Sequence, residues 1–246
     1  MKTMKQLITA IFFLLTINFY GQKNIYQSLL VSYVDPASGY VYYKNLKSEK
    51  EKLNAYLDDL SKNSPEASWS KDKKKAYWLN VYNGNIFKLV IDNYEEQGAF
   101  EKSNIFSLKK DGKSIWKQPF IKIAGEAYSL DHVEHQIIRK EFKDARVHAA
   151  FNSACQSGPK VANFVFTEEN VDSRLTQLMD RFINDSKKNS ITANKIVLSK
   201  IFEWYKGDFE AEGINLIEFV NMYSTVKVNP NAQVSFSEFN WVLNKK

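Results

Sequence analysis

The stretch SKDKKKAYWLNVYNGNIFKLVIDNY, residues 70–94, decides the architecture. It contains no proline, opens on Ser70 as an N-cap with Asp72 and Lys73 in the first turn, and reads as one long helix. At about 100° per residue, Leu79, Ile86, Phe87 and Val90 gather on one side. Asn83 falls in the middle of that arc and Asn80 lies one turn earlier, so a buried amide is expected. An unsatisfied buried amide costs about 1–3 kcal/mol, so Asn83 should bond to a neighbouring loop or to a ligand. Tyr82 points to a different side, toward a second layer.

Working outward, residues 26–34 read as a short helix, followed by the turn formers Asp35, Pro36 and Gly39 and a strand-like VYY at 41–43. A helix over about 48–60 carries Leu53, Tyr56, Leu57 and Leu60 three and four apart, one apolar stripe. Beyond the long helix, 104–128 breaks into short alternating pieces, with a hairpin about Gly125. Ser129 and Asp131 start the next helix, and Thr167 caps an amphipathic one through Phe182. A strand at 195–198 and two further pieces complete the chain. There is no internal repeat, low-complexity tract or linker. The expectation is a single α+β domain over 23–246, predominantly helical with short β hairpins and strands. The connection from Asn93 to Gln118 reads either as a lid or as an ordinary surface excursion.

The N-terminus sets a second expectation. Lys2 and Lys5 precede an apolar run from Leu7 to Phe19, and small and polar residues follow at Gly21 and Gln22. This pattern over 1–22 reads as a secretory signal peptide, and the run is shorter than the roughly 20 residues a membrane-spanning helix needs. No later segment is apolar enough to span a bilayer, so no stable membrane insertion is expected, and the destination is periplasmic or extracellular. The formal charge of +6 falls to +4 when Lys2 and Lys5 are removed from the 34 basic residues set against 28 acidic ones. The lysines alternate with acidic residues and form no basic stripe, which argues against a nucleic-acid partner.

Candidate chemistry concentrates in SLDHVEHQIIRKEFKDARVHAAFNSACQSGP, residues 129–159, which holds His132, His135, His148 and the lone Cys155. On the helical projection Glu134 falls inside the apolar arc of Leu130, Val133, Ile137 and Ile138, while His132, His135 and Arg139 project to the opposite face. A buried carboxylate needs a cation or several donors to stay ionised, and Arg146 or His148 could supply them. The histidine spacing matches none of the stronger zinc patterns, so no metal and no cofactor is expected. Cys155 could be a nucleophile with His148 as base, although free cysteine is among the most buried residue types.

Six motifs in order resemble the DUF547 family: GYVYY at 39–43, KAYWLNVYNGNIFKLV at 75–90, SLDHVEHQIIR at 129–139, ARVHAAFNSACQSGP at 145–159, VLSKIFEWYKGDF at 197–209 and FNWVLN at 239–244. The resemblance implies a family without an established biochemical activity. It marks Asn80, Tyr82, Asn83, Glu134, His135, Arg139, Arg146, His148, Asn152, Trp204, Asp208 and Phe209 as recurrent-motif positions. It also implies cysteines where this chain has Ser153 and Gly158, with Cys155 between them.

Three functional expectations follow. In the first, a partly buried polar pocket binds a small or peptide-like ligand through Asn80, Tyr82, Asn83, His135, Arg139, Arg146 and Asn152, with Glu134 and His148 beside them. In the second, a cysteine-peptidase-like or transglutaminase-like hydrolase or acyl transferase uses Cys155 or Ser153 as nucleophile, His148 as base and Glu134 as orienter. In the third, the polar set only ties loops to the core of a structural or interaction module.

Overall fold

The computed structural model describes residues 24–94 and 107–246, and the expected signal peptide lies outside the described residues. The fold is α+β, mostly helical with three small sheets among the described residues. Helix α1 spans 24–33, α2 Tyr43–Ser48, α3 Lys50–Lys62 and α4 Lys71–Asn93. Ser70 caps α4, its Oγ accepting from the Lys73 amide at 3.1 Å, and Asp72 sits at the positive end of the helix dipole. Every residue of α4 from Lys75 to Phe87 is buried, wider coverage than the one-sided stripe of the projection. The reason is that α2, α3 and two later helices pack around it.

A helix enclosed on all sides must satisfy its own polar side chains with neighbouring backbone. Asn80 does so with Phe166, donating from Nδ2 to its carbonyl at 2.8 Å and accepting its amide at 3.1 Å. Asn83 donates to the Ala150 carbonyl at 2.9 Å and accepts the Asn152 amide at 2.8 Å. These two amides hang the irregular chain between 144 and 170 on the central helix. Asn152 extends the clamp by accepting the amide of Ala154, a non-glycine residue held at φ +52°. Such a left-handed conformation persists only where the surroundings over-determine it.

The expected hairpin is present as β3 (Ile121–Ile123) and β4 (Glu126–Tyr128), after the two-residue strands β1 (Lys109–Lys110) and β2 (Lys113–Ser114). Ser129 then caps α5, its Oγ accepting the His132 amide at 3.0 Å. This helix begins with an α-turn at Leu130–His132 and continues as a π-helix over Val133–Phe142. A 3₁₀ segment, Ala145–Ala149, carries His148, and α6 spans Val171–Ile183. Strands β5 (Ser190–Ile191), β6 (Lys195–Leu198) and β7 (Gln233–Phe236) form one sheet, antiparallel then parallel. Between β6 and β7 lie α7 (Lys200–Trp204), α8 (Lys206–Phe209) and α9 (Leu216–Asn221). The C-terminal residues run back beside 154–156, where the Gln156 amide donates to the Val242 carbonyl at 2.7 Å.

Two local expectations are corrected. Residues 41–43 make no strand: Val41 forms only isolated bridges, to Val34 and Lys245, and Tyr43 begins α2. Thr167 does not cap α6, because Asn170 occupies the N-cap and its Oδ1 accepts the Thr167 amide at 2.9 Å. The preceding turn uses up the residues the helix was expected to contain.

Replacing Asn83 with Ala strands the Ala150 carbonyl and the Asn152 amide together. The variant should lose about 2 kcal/mol or more of unfolding free energy. Urea denaturation measures this, and an unchanged midpoint would remove Asn83 from the clamp role.

Candidate functional site

The π winding of α5 decides which side chains meet. A π-helix bonds i to i+5 and turns less per residue than an α-helix. Residues five apart, such as Glu134 and Arg139, therefore line up more closely than the α-projection allows. Glu134 and His135 both reach one pocket wall, and Arg139 lies above His135 with its Nη1 donating to Nδ1 at 2.7 Å. The expected separation of Glu134 from His135 and Arg139 onto opposite faces is thus overturned by the helix type. His132 remains outside, exposed and edge-on to Tyr128.

Glu134 is buried, yet neither Arg146 nor His148 bonds to it. Both its oxygens accept from phenols: Oε2 from Tyr82 at 2.8 Å and Oε1 from Tyr205 at 2.7 Å. An ionised carboxylate is an acceptor at both oxygens, which matches this double donation. Burial, then the Glu134 charge, push both tyrosine hydroxyls well above their ordinary range, so they stay protonated donors. Trp116 extends the chain by a side-chain hydrogen bond to Tyr82.

The second half of the site centres on Asp208. Arg139 grips it with two bonds, Nε to Oδ2 at 2.7 Å and Nη2 to Oδ1 at 3.1 Å. His148 Nε2 meets the same Oδ2 at 2.7 Å. Burial alone would raise the Asp208 carboxyl, but the bonds from His148 and Arg139 outweigh it and hold the group well below the usual carboxylate range. His148 is only 2 % exposed, and burial pushes its pKa below the ordinary histidine value despite the carboxylates nearby. A neutral imidazole donating Nε2–H to Asp208 fits both facts. Nδ1 is then the acceptor nitrogen. The His148 ring stacks on Tyr205 at 4.0 Å and abuts Phe209 and Phe151. Arg139 covers Tyr205 from 4.7 Å.

Several of these groups, though not Asp208, Arg139 or Phe209, form part of the wall of a pocket of about 340 Å³. Tyr82, Glu134, His135, His148, Phe151 and Tyr205 belong to the wall, with Asp131 beside His135 at 3.9 Å from its Nε2. Trp116 and Lys117 come from the end of the 93–118 connection, of which 95–106 lie outside the described residues. Trp204, Phe239 and Trp241 complete the aromatic side, their ring centroids 4.5–5.4 Å apart.

Ser153 also lines this pocket, with its Oγ buried and without a well-formed hydrogen bond among the described residues. Gly158 is its close neighbour. A Cβ built on Gly158 would sit 1.8 Å from Ser153 Oγ and 3.1 Å from Ser153 Cβ. The two positions at which the resemblance implies cysteines are therefore adjacent in space. Cys155 faces elsewhere: it is buried, is absent from the pocket wall, and burial pushes its thiol up to about 12 despite Ser153 and Lys188. A thiolate is the nucleophilic form, so this environment withholds it.

Of the expected ligand set, the structure places Tyr82 and His135 on the pocket wall, while Arg139 is off the wall and bonded to His135. Asn80, Asn83 and Asn152 serve backbone amides and carbonyls instead. Arg146 lies in a separate ionic cluster, forked onto Asp144 at 2.9 Å and reaching Asp172 at 2.7 Å, where it ties the 3₁₀ segment to α6. Tyr205 was missed and Asp208 was marked only through the resemblance. The WYKGDF motif held the signal, an aromatic hydroxyl and a carboxylate three residues apart at the start of a short helix. Among the described residues no group of three His, Cys, Asp or Glu side chains is placed to hold a metal ion.

A protein-family model described as "Protein of unknown function, DUF547" matches residues 66–183. No curated protein and no solved structure matches the chain. The matched region contains Tyr82, Glu134, His135, Arg139 and His148, while Tyr205, Asp208 and the Trp204, Phe239 and Trp241 wall lie beyond it.

Two measurements test this geometry. Between the depressed folded pKa of His148 and about 6.5, the unfolded chain binds more protons than the folded one, so stability should fall as pH drops below about 6.5. Denaturation midpoints across that range should show the decline, and His148→Gln should flatten it. Alkylation of Cys155, followed by intact mass at pH 7, should be undetectable until denaturant is added; rapid labelling of the native protein would contradict its burial.

Proposed function

Because the chain belongs to the DUF547 family, described as being of unknown function, we propose from the geometry that it binds a small organic ligand in the Glu134–His148 pocket. The observation that carries this reading is the joining of two polar networks, one buried and one half-buried, with aromatic walls around one concave space. Glu134, held by two phenols, and His148, held with Arg139 by Asp208, are both preorganised on the pocket wall. A pocket of about 340 Å³ lies within the usual range for small-molecule sites, roughly 300–1,000 Å³, and few polar groups amid apolar lining is their usual composition. We also propose that the protein works after export. Support for that comes from the N-terminal pattern of Lys2, Lys5 and the apolar run alone.

A second reading, acid–base chemistry in the same pocket, is favoured by the His148–Asp208 pair. A neutral imidazole oriented by a carboxylate is the arrangement of a general base. The nucleophile of the acyl-transfer version lacks matching support. Cys155 is off the pocket wall, and no hydrogen bond joins Ser153 Oγ to His148. A water-activating hydrolase is the form of this reading that the geometry favours.

Three of the chain's five tryptophans, Trp116, Trp204 and Trp241, line the pocket, so their emission reports occupancy. Titration against a fragment panel of cations, anions and neutral molecules should yield ligands that shift this emission and raise the melting temperature. Glu134→Gln should weaken them about tenfold, since it alters the charge and the acceptor geometry together. A panel without a single binder would overturn the binding reading. For the second reading, turnover of any panel ester should vanish in His148→Gln and persist in Cys155→Ser.

A further inference from the structure

We propose that the pocket selects small organic cations carrying a methylated ammonium head, an inference that rests on the binding reading above. The pocket offers a cation two complementary features. Its open side is built from Trp204, Phe239 and Trp241, packed against one another at 4.5–5.4 Å, with Trp204 45 % exposed. Ring faces carry a negative quadrupole and attract a diffuse cation without asking it for a hydrogen bond. The wall also carries the carboxylates of Asp131 and Glu134.

The charges nearby favour the same ligand sign. Lys117 is the one lysine on the wall and is exposed, so its flexible stem can leave the space. Arg139 is neutralised by its fork onto Asp208; its Nη1 donates to His135 Nδ1, and its guanidinium also lies over the face of Tyr205, a cation already resting on an aromatic ring of this wall. An anion would meet Asp131 and Glu134, with the exposed, flexible Lys117 as the one lysine of the described wall to offset them. Because both Glu134 oxygens already accept from phenols, that carboxylate contributes a field more than a further hydrogen bond. A methylated ammonium group, which has little or no N–H to satisfy, suits such a site better than a bare ammonium.

The test is tryptophan fluorescence and calorimetric titration with choline, its neutral carbon isostere 3,3-dimethylbutan-1-ol, and the anion 3,3-dimethylbutanoate, at constant ionic strength. Choline should bind about tenfold more tightly than the isostere. Trp204→Ala and Asp131→Asn should each weaken choline about fivefold while leaving the denaturation midpoint near that of the parent, because the Trp204 side chain is exposed and Asp131 is half-exposed. Equal binding of choline and the isostere, or preference for the anion, would overturn cation selection and leave the pocket reading intact. The same holds if all three fail while other fragments bind. Silence across the whole fragment panel would take the pocket reading down as well.

Discussion

A single carboxylate ties the site together. Asp208, on a four-residue helix late in the chain, accepts two bonds from Arg139 on the π-helix and one from His148 on a 3₁₀ turn. Neither the four-residue helix nor the five-residue 3₁₀ turn is long enough to hold its side chain by regular structure alone. The bidentate fork fixes the angle between α8 and α5, and the imidazole bond fixes the tautomer of a ring with almost no contact with solvent. Without Asp208, Arg139 would lose its countercharge and His148 would keep a buried N–H without an acceptor. Tyr205, three residues earlier, is then positioned to reach Glu134 and to stack on His148.

The rest of the structure serves this junction through the central helix. Because α4 is enclosed on every side, its amide side chains act as brackets for irregular backbone. Asn83 reaches the stretch that carries His148 and Ser153, and Asn80 the stretch that leads into α6. Tyr82, on the same helix, is the only α4 side chain on the pocket wall. Thus one helix supplies both a pocket group and the scaffold for its neighbours. Satisfying buried polar groups and building a site are here the same physical requirement.

Much of this was legible in the residues. The cap at Ser70, the hairpin about Gly125 and the burial of Asn83 and Glu134 followed from local chemistry and helical periodicity. What the periodicity hid was the helix type. An α-projection of 130–139 put Glu134 opposite His135 and Arg139, whereas the wider π turn brings Glu134 and His135 to one pocket wall, with Arg139 bonded to His135. The donors to Glu134 were also hidden, because a phenol 71 positions away leaves no trace in a local pattern. Cys155 drew attention as the lone thiol next to a histidine in sequence, yet seven residues of turning chain place the sulfur in the core and the imidazole at the pocket.

The geometry around Asp208 calls for a neutral His148 that donates its Nε2–H and keeps Nδ1 unprotonated. Long-range ¹H–¹⁵N correlation of the histidine rings at neutral pH tests this directly, and a chain with three histidines keeps the assignment tractable. The predicted result is a His148 ring protonated at Nε2 alone, with Nδ1 at the shift of an unprotonated nitrogen. A ring protonated at Nδ1 alone, or an imidazolium at that pH, would contradict the Asp208-centred site.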